Sequence, residues 1–128
     1  MSIYITGDCH GDYRRFNTEN FPEQKTMTKD DYVIICGDFG GVWEGGKKDA
    51  RSLDRLENLP FTTLFVSGNH ENFDLLGNYP VEEWNGGNIQ RTRPHVLHLQ
   101  RWPTSHMQRL LFFTLLCTRP HSIADCLP

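Results

Sequence analysis

Ile3-Tyr4-Ile5-Thr6-Gly7-Asp8-Cys9-His10, Val33-Ile34-Ile35-Cys36-Gly37-Asp38 and Leu64-Phe65-Val66-Ser67-Gly68-Asn69-His70-Glu71 share one pattern: an apolar, strand-like run enters a glycine, and a side chain able to bind a metal follows. Asp38 stands thirty residues after Asp8, and Asn69 thirty-one after Asp38. A strand-helix-strand unit takes roughly 30 residues, so the spacing predicts parallel strands whose carboxyl ends lie side by side. In an open parallel sheet those ends carry ligands and chemistry, because the loops leave a rigid scaffold close together. A glycine ahead of each polar residue permits a turn or a close backbone approach that a Cβ would resist.

The side chains so gathered are two carboxylates (Asp8, Asp38), one carboxamide (Asn69) and two imidazoles (His10, His70). That oxygen and nitrogen set suits manganese, iron or zinc. Cys9 points away from Asp8 and His10 if the segment stays extended, and it is left out of the set. Each piece alone has a plainer reading: Asp8-x-His10 as a turn, Gly37-Asp38 with Gly40-Gly41 as a glycine-rich loop, Asn69-His70 as a helix cap. Three such accidents at near-equal spacing after three apolar strands is the weaker explanation, so a metal site is expected. The chain has neither Gly-x-Gly-x-x-Gly nor Gly-x-x-x-x-Gly-Lys-Ser/Thr, which excludes a dinucleotide or P-loop fold.

At 128 residues the chain is one domain at most, enough to bury roughly 65% of its unfolded surface. A net charge of -3 and a pI near 6.0 argue against a nucleic-acid patch as the main feature. Met1-Ser2-Ile3 enters a strand directly and the longest apolar stretch, Leu110 to Cys117, is short of the roughly 20 residues of a membrane span. A soluble, cytoplasmic protein is expected, with Cys9, Cys36, Cys117 and Cys126 as free thiols. Cys36 reads as a small buried hydrophobe. Pro22 limits Asp12 to Lys25 to a short helix. Lys47 to Leu59 is the better helix, with Ala50, Leu53, Leu56 and Leu59 facing the sheet and Pro60 closing it. Asn72 to Tyr79 begins another helical turn, Trp84 to Ile89 holds an Asn-Gly hairpin turn, and Val96 to Leu99 is a strand. Trp43 and Trp84 line the rim of the site or pack into the core.

Asp8-x-His10, Gly37-Asp38-x-x-Gly41 and Gly68-Asn69-His70-Glu71 resemble the first three blocks of the calcineurin-like metallophosphoesterase superfamily, in the order and spacing of its shorter bacterial members. The resemblance covers residues 1 to about 98. It implies an α/β fold: a partial metallophosphoesterase-type sandwich, a parallel or mixed central sheet with flanking helices, and an incomplete second half. It implies two divalent metal ions, Mn2+ first, with Fe or Zn as alternatives. In that pattern Asp8 and His10 bind the first ion, Asp38 bridges both and Asn69 binds the second. His70 is the acid that helps the leaving group depart, with Glu71 where an acidic residue commonly stands. The implied reaction is hydrolysis of a phosphomono- or phosphodiester by attack of a metal-bridging hydroxide, with His70 and Asp38 catalytic. A carboxylate bridge holds two ions about 3.5 to 4 Å apart, the separation that clamps an in-line displacement at phosphorus. Arg14, with Arg15, reaches a substrate phosphate by a bidentate fork, or the pair simply faces water. A phosphoester small molecule, a nucleotide or a phosphoprotein all remain open as substrate.

After about residue 100 the sequence changes character. All eleven glycines lie at or before Gly87, and residues 95–128 hold four of the six histidines, three arginines and one acid, Asp125. The organisation expected is residues 1–100 as the N-terminal part of a metallophosphoesterase domain and residues 101–128 as an atypical tail, out of frame from near Gln100 to Trp102 or disordered. Proteins that this chain resembles continue into a further histidine and a Gly-His-x-His block, both absent here, which leaves the implied metal shells short of protein ligands. His95, His98, His106 and His121 do not follow a glycine after an apolar strand, so each is expected to be satisfied or exposed rather than a ligand. Two classes stay open: a phosphoesterase with a weakened site, and a catalytically inactive fragment or metal-binding module that self-associates through an exposed sheet.

Overall fold

Three runs rich in β-branched and aromatic residues form the centre of the sheet: β1 (Ile3–Thr6), β2 (Tyr32–Cys36) and β3 (Thr62–Val66). In this computed structural model, which describes residues 1–100 and the backbone of residues 121–122, they are parallel neighbours, with Ile5 opposite Ile34 and Ile34 opposite Leu64. Their carboxyl ends therefore lie together, as the repeat spacing predicts.

The sheet extends through β4 (Val81–Trp84), β5 (Gly87–Arg93), β6 (Val96–Leu99) and β7 (His121–Ser122) in the order β4-β5-β6-β3-β2-β1-β7. β6 joins β3 and β7 joins β1 in parallel, whereas β4 pairs with β5 and β5 with β6 antiparallel, so the sheet is mixed. The β4–β5 hairpin turns on Asn85 (φ 49) and Gly86 (φ 79), the two positive values that such a two-residue turn needs.

Both faces of the sheet bury apolar side chains. One presents Val33, Ile35, Phe65 and Val96 to Leu53 and Leu56 of α1 (Lys47–Glu57) and to Leu76 of α2 (Phe73–Gly77). Burying a leucine such as Leu53 or Leu56 contributes about 1.5–3 kcal/mol. Phe16 and Phe21 fill the same layer from the β1–β2 connection, where order is limited to two 3-10 turns, Arg14–Phe16 and Pro22–Thr26. Phe39 stacks on Phe65 with ring centroids 3.7 Å apart and so anchors the loop that follows β2. Among the described residues, the opposite face is built from strand side chains alone: Ile3, Ile34, Leu64, Ile89 and Leu97.

Three local expectations need correction or refinement. Helix α1 stops at Glu57 instead of Leu59. Lys29 Nζ donates to the carbonyls of Glu57 and Leu59, both at 2.6 Å, and of Phe61 at 3.2 Å. The chain past Glu57 thus gives its carbonyls to a side chain instead of another helical turn. Cys36, expected inside, is exposed, because it is the last residue of β2 and lies one position past the buried Ile35. Trp84 packs edge-on against Tyr32 at 6.0 Å, while Trp43, in the loop after β2, is 48% exposed.

His95 and His98 are satisfied, as expected. His95 Nδ1 lies 2.7 Å from Glu57 Oε1. His98 is buried with Nδ1 at 2.8 Å from Gln90 Oε1 and Nε2 at 2.6 Å from Ser67 Oγ. The expectations for His106, the His121 side chain and Leu110 to Cys117 fall outside the described residues. No described helix is long and apolar enough to cross a membrane.

Burial depresses the His98 imidazole to about 4. The unfolded chain takes up its proton near pH 6.5 and the folded chain only near 4, so below pH 6.5 the unfolded state binds more protons and stability falls. Above pH 6.5 both forms are neutral and nothing is lost. The loss between the two values is expected to reach about 3 kcal/mol. Urea unfolding at pH 7 and pH 4.5 checks this: the chain should lose more stability on acidification than His98→Gln, and equal losses would contradict it.

Candidate metal centre

Each of the three strand tips ends in a loop that is stitched to its neighbour. The Asp38 carbonyl accepts from Cys9 N–H at 3.1 Å and from His10 N–H at 2.8 Å, and Phe39 O accepts from Gly11 N–H at 3.0 Å. His10 (φ 48) and Asp38 (φ 39) both adopt left-handed backbone, which costs a residue with a Cβ about 1–2 kcal/mol and collects where function requires a fixed direction. The cross-loop bonds hold both residues there. Gly40 (φ +70) sits so close that a Cβ on it would lie 2.7 Å from the His10 carbonyl carbon.

The result is convergence. Ligand atoms of His10, Asp38 and His70 all lie within 4.8 Å of one another. His10 Nε2 is 3.6 Å from Asp38 Oδ2 and 3.8 Å from Asp8 Oδ2, and His70 Nδ1 is 3.2 Å from Asp38 Oδ2. Asp38 is buried, and His70 N–H donates to its Oδ1 at 2.9 Å. That backbone bond, with smaller help from the His70 and His10 rings, holds the Asp38 carboxyl below its usual range. Asn69 is exposed beside this group, with Nδ2 3.4 Å from His70 Nδ1. Gly68 leaves room for Asp38: a Cβ built there would overlap Asp38 Oδ1 and lie 2.8 Å from its carboxyl carbon.

Two residues hold these loops: Glu71, which the sequence reading gave no structural role, and Arg15, which it gave to a substrate phosphate or to water. Glu71 is buried, and its carboxylate accepts from Phe39 N–H at 2.6 Å, Gly40 N–H at 3.4 Å and Gly68 N–H at 3.5 Å, joining the second and third tips. Arg15 donates from Nη1 to Thr6 Oγ1 at 2.8 Å and from Nη2 to the Asp8 carbonyl at 2.7 Å, clamping the end of β1. Arg14 instead forks onto Asp12 at 2.9, 3.0 and 2.5 Å, and these bonds hold the Asp12 carboxyl down at about 2. Cys9 is buried, and burial pushes its thiol up to about 11, so at neutral pH it stays protonated and outside the donor set.

Replacing Glu71 with Gln removes the charge and puts an amide where one oxygen now faces backbone donors. Leaving buried N–H groups unpaired costs about 1–3 kcal/mol, so Glu71→Gln is expected to lose that much in denaturant unfolding. An unchanged midpoint would show that Glu71 does not hold the two loops.

The oxygen and nitrogen donors, the charged Asp38 at their centre and the space left by Gly68 fit a hard or borderline divalent ion. A family model described as calcineurin-like phosphoesterase matches residues 1–116. The chain is 30% identical over 104 residues to lariat debranching enzyme A of Xenopus laevis, covering 70% of this chain and 20% of that protein. It is 31% identical over 104 residues to the lariat debranching enzymes of Arabidopsis thaliana and Caenorhabditis elegans, covering 70% of this chain and 25% and 21% of theirs. The chain thus spans about a fifth to a quarter of the length of these relatives. No solved structure matches it. With the match running through all three strand tips and the donors meeting where they end, the chain belongs to the calcineurin-like phosphoesterase family.

Proposed function

We propose that the chain carries the metal-dependent phosphoesterase centre of a hydrolase that cleaves a phosphodiester. The observation that supports it most is the meeting of His10, Asp38 and His70 within 4.8 Å at the carboxyl ends of parallel strands. In this reading Asp8, His10, Asp38 and Asn69 hold two divalent ions, manganese first and iron or zinc as alternatives. When bound, the ions supply a water acidified towards neutral pH and positive charge for the phosphate oxygens. The protein does the rest. Asp38, at the centre, keeps its negative charge because the His70 N–H bonds it. His70, with Nδ1 3.2 Å from Asp38 Oδ2, would deliver a proton to the departing oxygen, worth about 10²- to 10⁴-fold. Arg15 and Glu71 fix the directions of the loops that carry the donors.

The relatives' printed names, lariat debranching enzymes, support a branched substrate, and we read the link cut in it as a diester. A second reading, a metal-binding module without turnover, has its own support: among the described residues only His10, Asp38 and His70 bring ligand atoms within 4.8 Å of one another, a small donor set for two ions. In this second reading residues 101–128 are a tail that contributes nothing to the centre. Hydrolysis of bis(p-nitrophenyl) phosphate with manganese and with chelator separates the two. Manganese-dependent release supports the enzyme; metal uptake without release supports the module.

A further inference from the structure

Beside Asp8 lies a cavity of about 770 Å³ lined by Thr6, Gly7, Asp8, Asp12, Arg14, Arg15, Asn17 and Asn20. It shares Asp8 with the candidate metal centre and is otherwise built from the end of β1 and the β1–β2 connection. Its hydrogen bonds are unevenly spent. Thr6 Oγ1 accepts from Arg15, and both Asp12 oxygens accept from Arg14. Asn17 Oδ1 accepts from the N–H groups of Glu19 at 2.9 Å and Asn20 at 2.7 Å, which turns its Nδ2 outward. The acceptors of the wall are thus largely used, apart from Asn20 Oδ1 and the Asp8 carboxylate, which turns to His10 at 3.8 Å and in the proposed function holds an ion. Among the described residues, Arg14 Nη1, Arg15 Nε, Asn17 Nδ2 and Asn20 Nδ2 have no partner. Away from Asp8 the wall has more spare donors than acceptors and so takes a ligand rich in acceptors, and guanidinium and amide groups on one side are the set that holds phosphate in nucleic-acid backbones.

We propose that this cavity is a second phosphate subsite, binding a non-scissile phosphate of the same substrate while the ester that is cut lies at the metal centre. The inference rests on the proposed phosphodiesterase reading and deepens it: the substrate is a chain with at least two phosphates, not an isolated phosphoester. Arg14 reaches that phosphate through its free Nη1 while Asp12 holds its other edge, so the fork is preset and little side-chain freedom is lost on binding.

The full chain, loaded with manganese, is titrated calorimetrically with a dithymidine phosphorothioate, with and without a 5′-terminal phosphate. The terminal phosphate is expected to tighten binding about tenfold, the gain from one or two charge-assisted hydrogen bonds. Asn20→Ala, which leaves the charge unchanged, and Arg14→Gln should each remove most of that gain, and Glu83→Gln, on β4 at the opposite edge of the sheet, should keep it. No gain, or a gain that survives both variants, overturns the proposal. A second arm keeps the chain free of metal and follows the side-chain amide signals of Asn17 and Asn20 during titration with inorganic phosphate. Saturable shifts that weaken in Arg14→Gln support the subsite even if the chain takes up no manganese, a result that by itself refutes only the metal-centre reading. Inorganic phosphate that binds as tightly as the dinucleotide would make this a free-anion site and overturn the assignment to a substrate phosphate.

Discussion

Gly68→Ala is expected to reduce metal affinity by more than about a hundredfold, a loss in the range that misplacing one ligand set produces. The added methyl would occupy the space of Asp38 Oδ1 and come 2.8 Å from its carboxyl carbon. Asp38, whose backbone nitrogen the methyl would also overlap, cannot yield cheaply. Asp38 is bonded through its carboxylate to His70 N–H and through its carbonyl to Cys9 and His10, so moving it disturbs all three loops at once. Stability should fall as well, because overpacking against backbone costs about 1–3 kcal/mol or more. Metal titration followed by calorimetry, with circular dichroism to show that the variant folds, checks the expectation. Affinity within threefold of the parent would mean that Asp38 does not point where the loops now hold it.

Asp38→Asn should have a comparable effect with none of the steric disturbance. The amide keeps the shape and the His70 N–H bond but loses the negative charge at the centre of the group. A carboxylate shared by two cations is the strongest electrostatic attraction in such a site, so manganese stoichiometry should drop below one per chain and any diester turnover should vanish. The folded state should tolerate the change, since the buried carboxylate now faces only imidazoles and one N–H. Retained uptake would place the ions elsewhere.

Much of this was legible before any coordinates. Near-equal spacing of Asp8, Asp38 and Asn69 sets the parallel order of β1, β2 and β3, and short apolar runs mark the strands themselves, β6 at Val96–Leu99 to the residue. The Asn85-Gly86 hairpin follows from turn chemistry alone. What escaped is what depends on contacts between segments distant in sequence. The end of α1 is set by Lys29, some thirty residues upstream, which takes its carbonyls. Glu71 reads as one more acid beside a histidine, yet it accepts from Phe39 and Gly40 of the loop after β2 as well as from Gly68 of its own loop, a pairing that no local pattern marks. Arg14 and Arg15 are adjacent and chemically alike, and only packing shows one clamping Thr6 Oγ1 and the Asp8 carbonyl just past β1 while the other pairs with Asp12. Cys36 continues an apolar run, but the run outlasts the buried part of the strand.

The local consistency of the tips explains why the site is legible at all. Strained φ values at His10 and Asp38, the glycines that make room for them, and the bonds that cross between loops all serve one arrangement of donors. Such strain is kept where a function repays it.

Manganese bound per chain, counted by elemental analysis on the purified full chain beside Asp38→Asn, with diester hydrolysis followed on the same samples, tests the centre most directly. The account predicts about two ions per chain with hydrolysis that needs them, and both lost in the variant. Equal manganese in the two proteins, or none in either, would contradict it.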